Sequence, residues 1–463
     1  MTPASLFRPK LQSTMVPPVS AAVAAPVAAS VAAARPVPAP AGERSLDERM
    51  AATFRRGEEA LSPRELRQLL EQLQGIVDPR VSEVEGGRRA AQLQAWYDKA
   101  TAPQKRDLWL LMSEKFKADP EKVRKAQAQF ATAVGTPDEA AAEVQFRRAT
   151  VSPRRRLLQR ISADGRGIRF LVDLRAEIQP HLKSDRRLSA LDVEMEYMFS
   201  TWFDVAFLEL RRISWDSPAS LVEKLIKYEA VHDIRSWADV KNRLDSDRRC
   251  YGFFHQRLEG EPLIFVEVAL VDEMTAGIEP LLDESAAPAD LAKATTAIFY
   301  SISSTQVGLR GVSFGDSLIK RVVDTLKAEF PRLKTFATLS PIPGLRAWMQ
   351  KNAPPELLAK LDHPLALGPK APERAELLAW AARYLGKEMT HGKPCDPVAR
   401  FHLGNGARVE RLNWAADPSS KGVKQSFGLM VNYLYDLKRL DKHRALLAQG
   451  EVPMSSQVQS LLD

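Results

Sequence analysis

The spacing of apolar positions changes character about halfway along the chain. From about residue 45 to residue 212 apolar side chains recur at intervals of three and four. Leu66, Leu69, Leu70 and Leu73 form one stripe, and neither 108–116 nor 140–146 alternates as a strand would. A polar residue followed by proline punctuates this stretch at Ser62-Pro63, Asp119-Pro120, Thr136-Pro137 and Ser152-Pro153. Proline suits the first helical position, where no N–H is needed, and the polar side chain before it can accept from the free amides of the first turn. Ser62-Pro63-Arg64-Glu65 also reads as a capping box. The pattern predicts an all-helical domain over 45–205. Nothing in it has the spacing of a metal or nucleophile site, so a scaffold or oligomerisation role is expected.

After Trp215 the period shortens. Ser217-Pro218 opens a helix that runs through Tyr228, and then two β-type runs, 249–255 and 263–270, flank a turn at Glu259-Gly260. A third strand is predicted over 295–303. The helix that follows, 316–330, puts Leu318, Ile319, Val322, Val323, Leu326 and Phe330 on one face. A strand over 334–340 is stopped by Pro341-Ile342-Pro343-Gly344, and helices fill much of 345–390. Asn405-Gly406 then predicts a hairpin turn between strands 398–403 and 407–413, which places His402 on a strand. The expected class is α+β: an N-terminal helical bundle followed by a mixed α/β domain over 206–463.

Composition narrows the options. With 463 residues, 45% hydrophobic and 27% charged, the chain can bury more than one ordinary core. The net charge of +8 is spread along it and forms no basic stripe, which argues against nucleic acid as a partner. Residues 1–42 hold 12 Ala and 8 Pro; the prolines oppose a helix, so 1–44 is expected to be a disordered tail in preference to a targeting signal. The same prolines, Pro17, Pro18 and Pro26, interrupt the uncharged run 11–34, so no membrane span is expected there. Two cysteines, Cys250 and Cys395, supply neither a disulfide framework nor a Cys-rich zinc site. A cytoplasmic setting fits best, with mitochondrial targeting the lesser expectation.

The segment most suggestive of chemistry is 306–316, between the third strand and its helix. Glycines there leave backbone N–H groups approachable at a helix N-terminus, an arrangement suited to a pyrophosphate. No Gly-Lys-Ser/Thr follows, and Gly308-x-x-Gly311 has the wrong spacing for a dinucleotide fingerprint. By itself such a loop is equally compatible with a turn that binds nothing. Its place in the order strand, loop, helix, strand resembles the core of the GNAT acyl-CoA-binding superfamily. That resemblance assigns Arg310, Gly311, Val312, Ser313, Phe314, Gly315 and Asp316 to the CoA pyrophosphate, with Ser313 standing where the pattern expects glycine.

Further segments make the resemblance narrower. Residues 297–303, 336–344 (Phe-Ala-Thr-Leu-Ser-Pro-Ile-Pro-Gly), 391–392 with 396–407, and 428–435 resemble the malonyl-CoA decarboxylase family. The resemblance implies a helical domain ahead of a GNAT-like catalytic domain, conversion of malonyl-CoA to acetyl-CoA and CO2, and a homo-oligomer, often a tetramer, formed through the helical domain. It also implies a catalytic pair, Ser340 and His402, that touches the malonyl group, with Tyr435 holding the carboxylate or carbonyl. Where the family can carry a glutamate near the substrate, this chain has Ser313.

The chemistry is consistent with those residue types. Loss of CO2 from a malonyl thioester leaves an enolate that the thioester carbonyl itself delocalises, so no metal or organic cofactor is required. The protein must hold the CoA handle, orient the carboxylate, stabilise the enolate and deliver a proton. An imidazole titrating near neutral pH is the expected donor. Read without the resemblance, Ser340 is a turn residue, His402 a core histidine and Tyr435 a core aromatic. Lys320 and Arg321 are placed either to reach CoA phosphates or to lie on a solvated helix face. Two other functions stay open: an acyl-CoA N-acyltransferase, which would need an amine acceptor, and a CoA-binding scaffold without catalysis.

Overall fold

A computed structural model describes residues 44–57, 59–312 and 318–462. The predicted tail up to residue 43 and the loop positions Ser313, Phe314, Gly315 and Asp316 therefore lie outside the described residues. Helices occupy most of the chain from Leu46 to Trp202, and their starts follow local chemistry. Capping boxes close at Ser45 with Glu48 and at Ser62 with Glu65, and proline opens the helices Pro63–Val77, Pro120–Ala133 and Pro153–Ala163. Leu66, Leu69, Leu73 and Ile76 form the buried stripe of the first of these. The helices Pro120–Ala133 and Glu139–Thr150 pair with each other, Phe130 stacked on Phe146 at 6.0 Å, while each buries a single residue, Ala126 and Ala142.

Eight strands form one sheet: β1 (Glu209–Ile213), β2 (Arg248–Phe254), β3 (Pro262–Val271), β4 (Thr296–Ser304), β5 (Thr335–Thr338), β6 (Ser340–Pro341), β9 (Arg408–Asn413) and β10 (Met430–Leu434). A separate two-residue ladder joins β7 (Met389–Thr390) to β8 (Lys393–Pro394). The order in the sheet is β1-β2-β3-β4-β5-β10-β6, with β9 paired to β10. Every pairing is antiparallel except that of β4 with β5, which the helix Leu318–Glu329 connects. The chain is thus α+β, with the hairpin predicted from 249–255 and 263–270 and the strand-loop-helix-strand order in place.

The parallel ladder is short. It runs from Thr296–Thr335 to Phe299–Thr338, and beyond it no described strand pairs with residues 300–304 on that side. The chain of β5 turns instead toward β10, where Ser340 lies opposite Val431. The sheet therefore parts at this point.

Three predicted elements differ. Residues 209–213, inside the stretch of helical composition, are a strand, because an edge position needs only the ladder with β2. The strand predicted over 334–340 is two, and Ser340 opens the second and does not close the first. The strand predicted over 398–403 is the helix Pro397–Gly404. Asp396 Oδ1 accepts from the amides of Val398 and Ala399 at 2.9 and 3.0 Å, with Pro397 at the first helical position. This is the same signal as Asp119-Pro120. Asn405-Gly406 ends that helix and does not turn a hairpin: Gly406 adopts φ +85, and a Cβ there would lie 2.8 Å from the Leu440 carbonyl.

Asp396→Ala removes the oxygen that accepts both capping hydrogen bonds, so a loss of about 1–2 kcal/mol is expected, read as a lower denaturation midpoint. Asp396→Asn keeps an acceptor and should retain most of it. An unchanged midpoint in the alanine variant would show that the helix does not depend on this cap.

Candidate active site

Where β4 and β5 part, a cavity of about 510 Å³ opens. β4 contributes Phe299, Tyr300, Ile302 and Ser304; the loop 306–312 contributes Gln306, Val307 and Leu309 to Val312; β6 contributes Ser340, and the helix Pro397–Gly404 contributes Phe401 and His402. The size and the mostly apolar lining with a few polar groups are those of a small-molecule site.

Ser340 and His402, 62 residues apart in the chain, meet in this wall. Ser340 Oγ lies 3.2 Å from His402 Nε2, and His402 Nδ1 lies 2.8 Å from the Tyr435 hydroxyl. The imidazole stacks on Tyr433 with 4.8 Å between ring centres. Ser340 also donates to Thr338 Oγ1 at 2.8 Å, and that oxygen accepts from the Tyr433 amide at 3.1 Å. The Asp396 carboxylate joins the two supporting segments. Besides capping the histidine helix through Oδ1, its Oδ2 accepts from the Gly344 amide, in the turn after Ser340, at 3.3 Å. Asp396 and Thr338 both lie within the motifs already singled out, but neither was read as part of a site. The available signals were an Asp-Pro helix start and a hydroxyl two positions before the serine on extended backbone.

Two expectations change. His402 is buried and its ring partners are hydroxyls, so burial pushes its pKa down to about 3. The imidazole is neutral at pH 7 and does not titrate near neutrality as expected. Tyr435 is not among the cavity-lining residues; its hydroxyl is engaged by His402, and burial pushes its pKa upward, keeping it protonated.

The loop 306–312 is braced by the helix Gly167–Ile178. A Cβ on Gly308 would fall 1.9 Å from the Val172 carbonyl oxygen, so this glycine permits the helix to approach and does not form a phosphate cradle. Arg175 is 2% exposed and donates to the carbonyls of Gly308 and Arg310 at 2.8 and 3.0 Å, while Asp192 accepts from its Nε at 2.8 Å. Arg310 and Gly311 stay exposed at the cavity mouth, Gly311 with φ +85, and Val312 is buried. Arg321 donates to the carbonyls of Val205 and Leu208, both at 2.6 Å, so it serves packing; Lys320 is exposed. Cys250 is buried, with its thiol pKa pushed up by desolvation, and Cys395 lies 3.0 Å from the Thr390 hydroxyl. Among the described residues no group of three or more His, Cys, Asp or Glu side chains is placed to hold a metal ion, and no helix is long and apolar enough to cross a membrane.

Comparison with known proteins gives a consistent picture. The family model described as malonyl-CoA decarboxylase C-terminal domain matches residues 206–463, and that of the malonyl-CoA decarboxylase N-terminal domain matches 116–203. The mitochondrial malonyl-CoA decarboxylase of Anser anser anser is 34% identical over 81% of this chain and 83% of its own length. That of Mus musculus is 35% identical over 69% of this chain and 73% of its own. The crystal structure of malonyl-CoA decarboxylase from Rhodopseudomonas palustris superposes with a TM-score of 0.76 at 39% identity, covering 85% of this chain and 99% of that one. The enzyme from Agrobacterium vitis gives 0.76 at 40%, covering 86% and 100%.

The buried neutral imidazole predicts a pH signature. A histidine in the unfolded chain takes up its proton near pH 6.5, whereas His402 in the folded chain does so only near 3. Below about pH 6.5 the unfolded state binds the extra proton, so folding stability falls as pH drops through that window, by an amount on the order of a few kcal/mol. Denaturation midpoints between pH 7 and 4 should decline less steeply in His402→Asn. The remaining slope includes His232, whose pKa burial lowers to about 4. Equal slopes in both proteins would contradict the lowered pKa that burial gives His402.

Proposed function

The chain belongs to the malonyl-CoA decarboxylase family and is a carboxy-lyase; we propose that it releases CO2 from malonyl-CoA through Ser340 and His402, with Tyr435 orienting the imidazole and no metal or organic cofactor. The observation that carries this reading is the 3.2 Å contact between Ser340 Oγ and His402 Nε2 in the wall of the cavity.

Decarboxylation begins when the malonyl carboxylate turns so that its C–C bond overlaps the thioester carbonyl. CO2 leaves, and the bonding electrons pass to the carbonyl as an enolate. The enolate carbon then takes a proton and yields acetyl-CoA, so each turnover consumes one proton, replaced from water. A neutral imidazole suits this course. An imidazolium would pair with the substrate carboxylate and stabilise the ground state, which raises the barrier. The apolar lining favours the change from a localised carboxylate to neutral CO2 and a dispersed enolate. A thioester enolate is a strong carbon base, so a hydroxyl or neutral imidazole N–H is acid enough to protonate it. Ser340 Oγ and His402 Nε2 fill that role as a unit, and the stack on Tyr433 and the Tyr435 hydroxyl hold the ring plane. The CoA pyrophosphate is assigned to Arg310, Gly311 and Val312 in the cavity lining, and, by the family resemblance alone, to Ser313, Phe314, Gly315 and Asp316.

Ser340→Ala and His402→Ala should each lower kcat by about 100-fold or more, with far-UV circular dichroism unchanged, and the double variant should be little worse than the worse single. Malonyl-CoA alone should suffice for CO2 release. Near-normal turnover in both single variants would sink the catalytic pair, and a requirement for an amine acceptor would favour the acyltransferase reading.

A homo-oligomer, with a tetramer as its expected form, is proposed on the helical pair Pro120–Ala133 and Glu139–Thr150. Each helix buries one alanine, and Val134 and Val144 stand 57% and 47% exposed. Sedimentation velocity should give a particle of several chains, reduced in size by Val134→Glu with Val144→Glu; a monomeric parent protein would contradict this.

A further inference from the structure

Thr338 and Ser340 are two positions apart on the extended backbone that passes from β5 to β6, so their side chains share a face. Thr338 is fully buried, and its Oγ1 receives two hydrogens, one from the Tyr433 amide at 3.1 Å and one from the Ser340 hydroxyl at 2.8 Å. A serine hydroxyl has a single hydrogen. With that hydrogen directed at Thr338, the contact between Ser340 Oγ and His402 Nε2 is a hydrogen bond only if Nε2 carries the proton. A neutral imidazole carries one N–H, so Nδ1 is then bare and accepts from the Tyr435 hydroxyl at 2.8 Å.

The polarity of the whole line follows: Tyr435 O–H to Nδ1, Nε2–H to Ser340 Oγ, and Ser340 O–H to Thr338 Oγ1. The reverse polarity would have Ser340 donate to Nε2 and Nδ1 donate to Tyr435, and the 2.8 Å contact with Thr338 would then persist only with the Thr338 hydroxyl as its donor, opposite to the direction found. Tyr435 does not decide between them, because a phenol hydroxyl can donate or accept. Nor does the Tyr433 ring, which offers His402 only its face.

We propose that Thr338 is a positioning residue that sets the tautomer of His402, holding the protonated Nε2 toward Ser340 and the cavity. Its consequence for turnover rests on Ser340 and His402 being the catalytic pair; the tautomer itself does not. In the reverse polarity, the imidazole nitrogen facing the cavity would be bare and would have no proton to deliver to the enolate carbon.

The test is the side-chain nitrogen spectrum of the full-length enzyme labelled with ¹⁵N-histidine, the His402 signals being identified by their loss in His402→Asn. In the parent enzyme His402 is expected to show a protonated Nε2 and a bare Nδ1. In Thr338→Val the serine hydrogen is free to turn to Nε2, so the proton should move to Nδ1. Thr338→Ser should restore the parent spectrum, and Tyr435→Phe should leave Nε2 protonated. Turnover should fall about tenfold or more in Thr338→Val, in kcat more than in KM, and recover in Thr338→Ser. A protonated Nδ1 in the parent enzyme overturns the proposal, and that result needs no variant to fold. So does an unchanged tautomer in Thr338→Val. If the tautomer moves as expected while kcat stays, Thr338 sets the tautomer and the catalytic assignment of His402 is what fails.

Discussion

A buried imidazole whose partners among the described residues are hydroxyls and a tyrosine ring governs how the rest of this site is arranged. His402 contacts two hydroxyls and the face of a tyrosine ring, and burial alone keeps it neutral. A ring in that environment cannot find its orientation from solvent; it takes it from its neighbours. Three segments meet there: β6 brings Ser340, β10 and the residue just beyond it bring Tyr433 and Tyr435, and a helix whose first turn Asp396 caps brings the ring itself. The β10 strand is therefore a hub, pairing with β5, β6 and β9 while presenting Tyr433 to the imidazole.

The cavity exists because the sheet parts. Had β5 continued beside β4 past Phe299, the backbone groups of residues 300–304 would have been taken up by a ladder, and there would be no room for a ligand next to Ser340. The N-terminal helices act on the same cavity indirectly, through the loop 306–312. Arg175 draws the carbonyls of Gly308 and Arg310 toward its own helix, and Gly308 allows that helix to approach. A buried guanidinium bonded to two main-chain carbonyls and to Asp192 is a well-satisfied cation. Its effect is to hold one side of the cavity mouth.

Much of this was legible in the sequence, to different depths. The helical N-terminal region followed from Leu66, Leu69 and Leu73 and from polar-proline starts, which are local signals. The β2-β3 hairpin and the strand-loop-helix-strand order likewise followed from period and turn residues. Ser340, His402 and Tyr435 were legible only through family resemblance, since a serine before proline or a histidine among apolar neighbours carries no chemistry by itself. The helix around His402 is hard to read from the sequence because Asn405-Gly406 serves a hairpin turn and a helix end equally well, and Asp396-Pro397 is the local signal that marks its start. The neutral state of His402, the contact of its ring with the Tyr435 hydroxyl and the brace from Arg175 are tertiary facts. They depend on what the fold brings together, and no spacing along the chain encodes them.

In the proposed reaction the acyl end of the substrate lies between Ser340 and His402 in the opening between β4 and β5. A crystal structure with a malonyl-CoA analogue that cannot lose CO2 tests it directly. The expected result is the analogue's carboxylate or thioester oxygen within hydrogen-bond distance of Ser340 Oγ or His402 Nε2, with the pyrophosphate at Arg310 and Gly311. An analogue bound with its acyl end elsewhere, and with both side chains untouched, would contradict it.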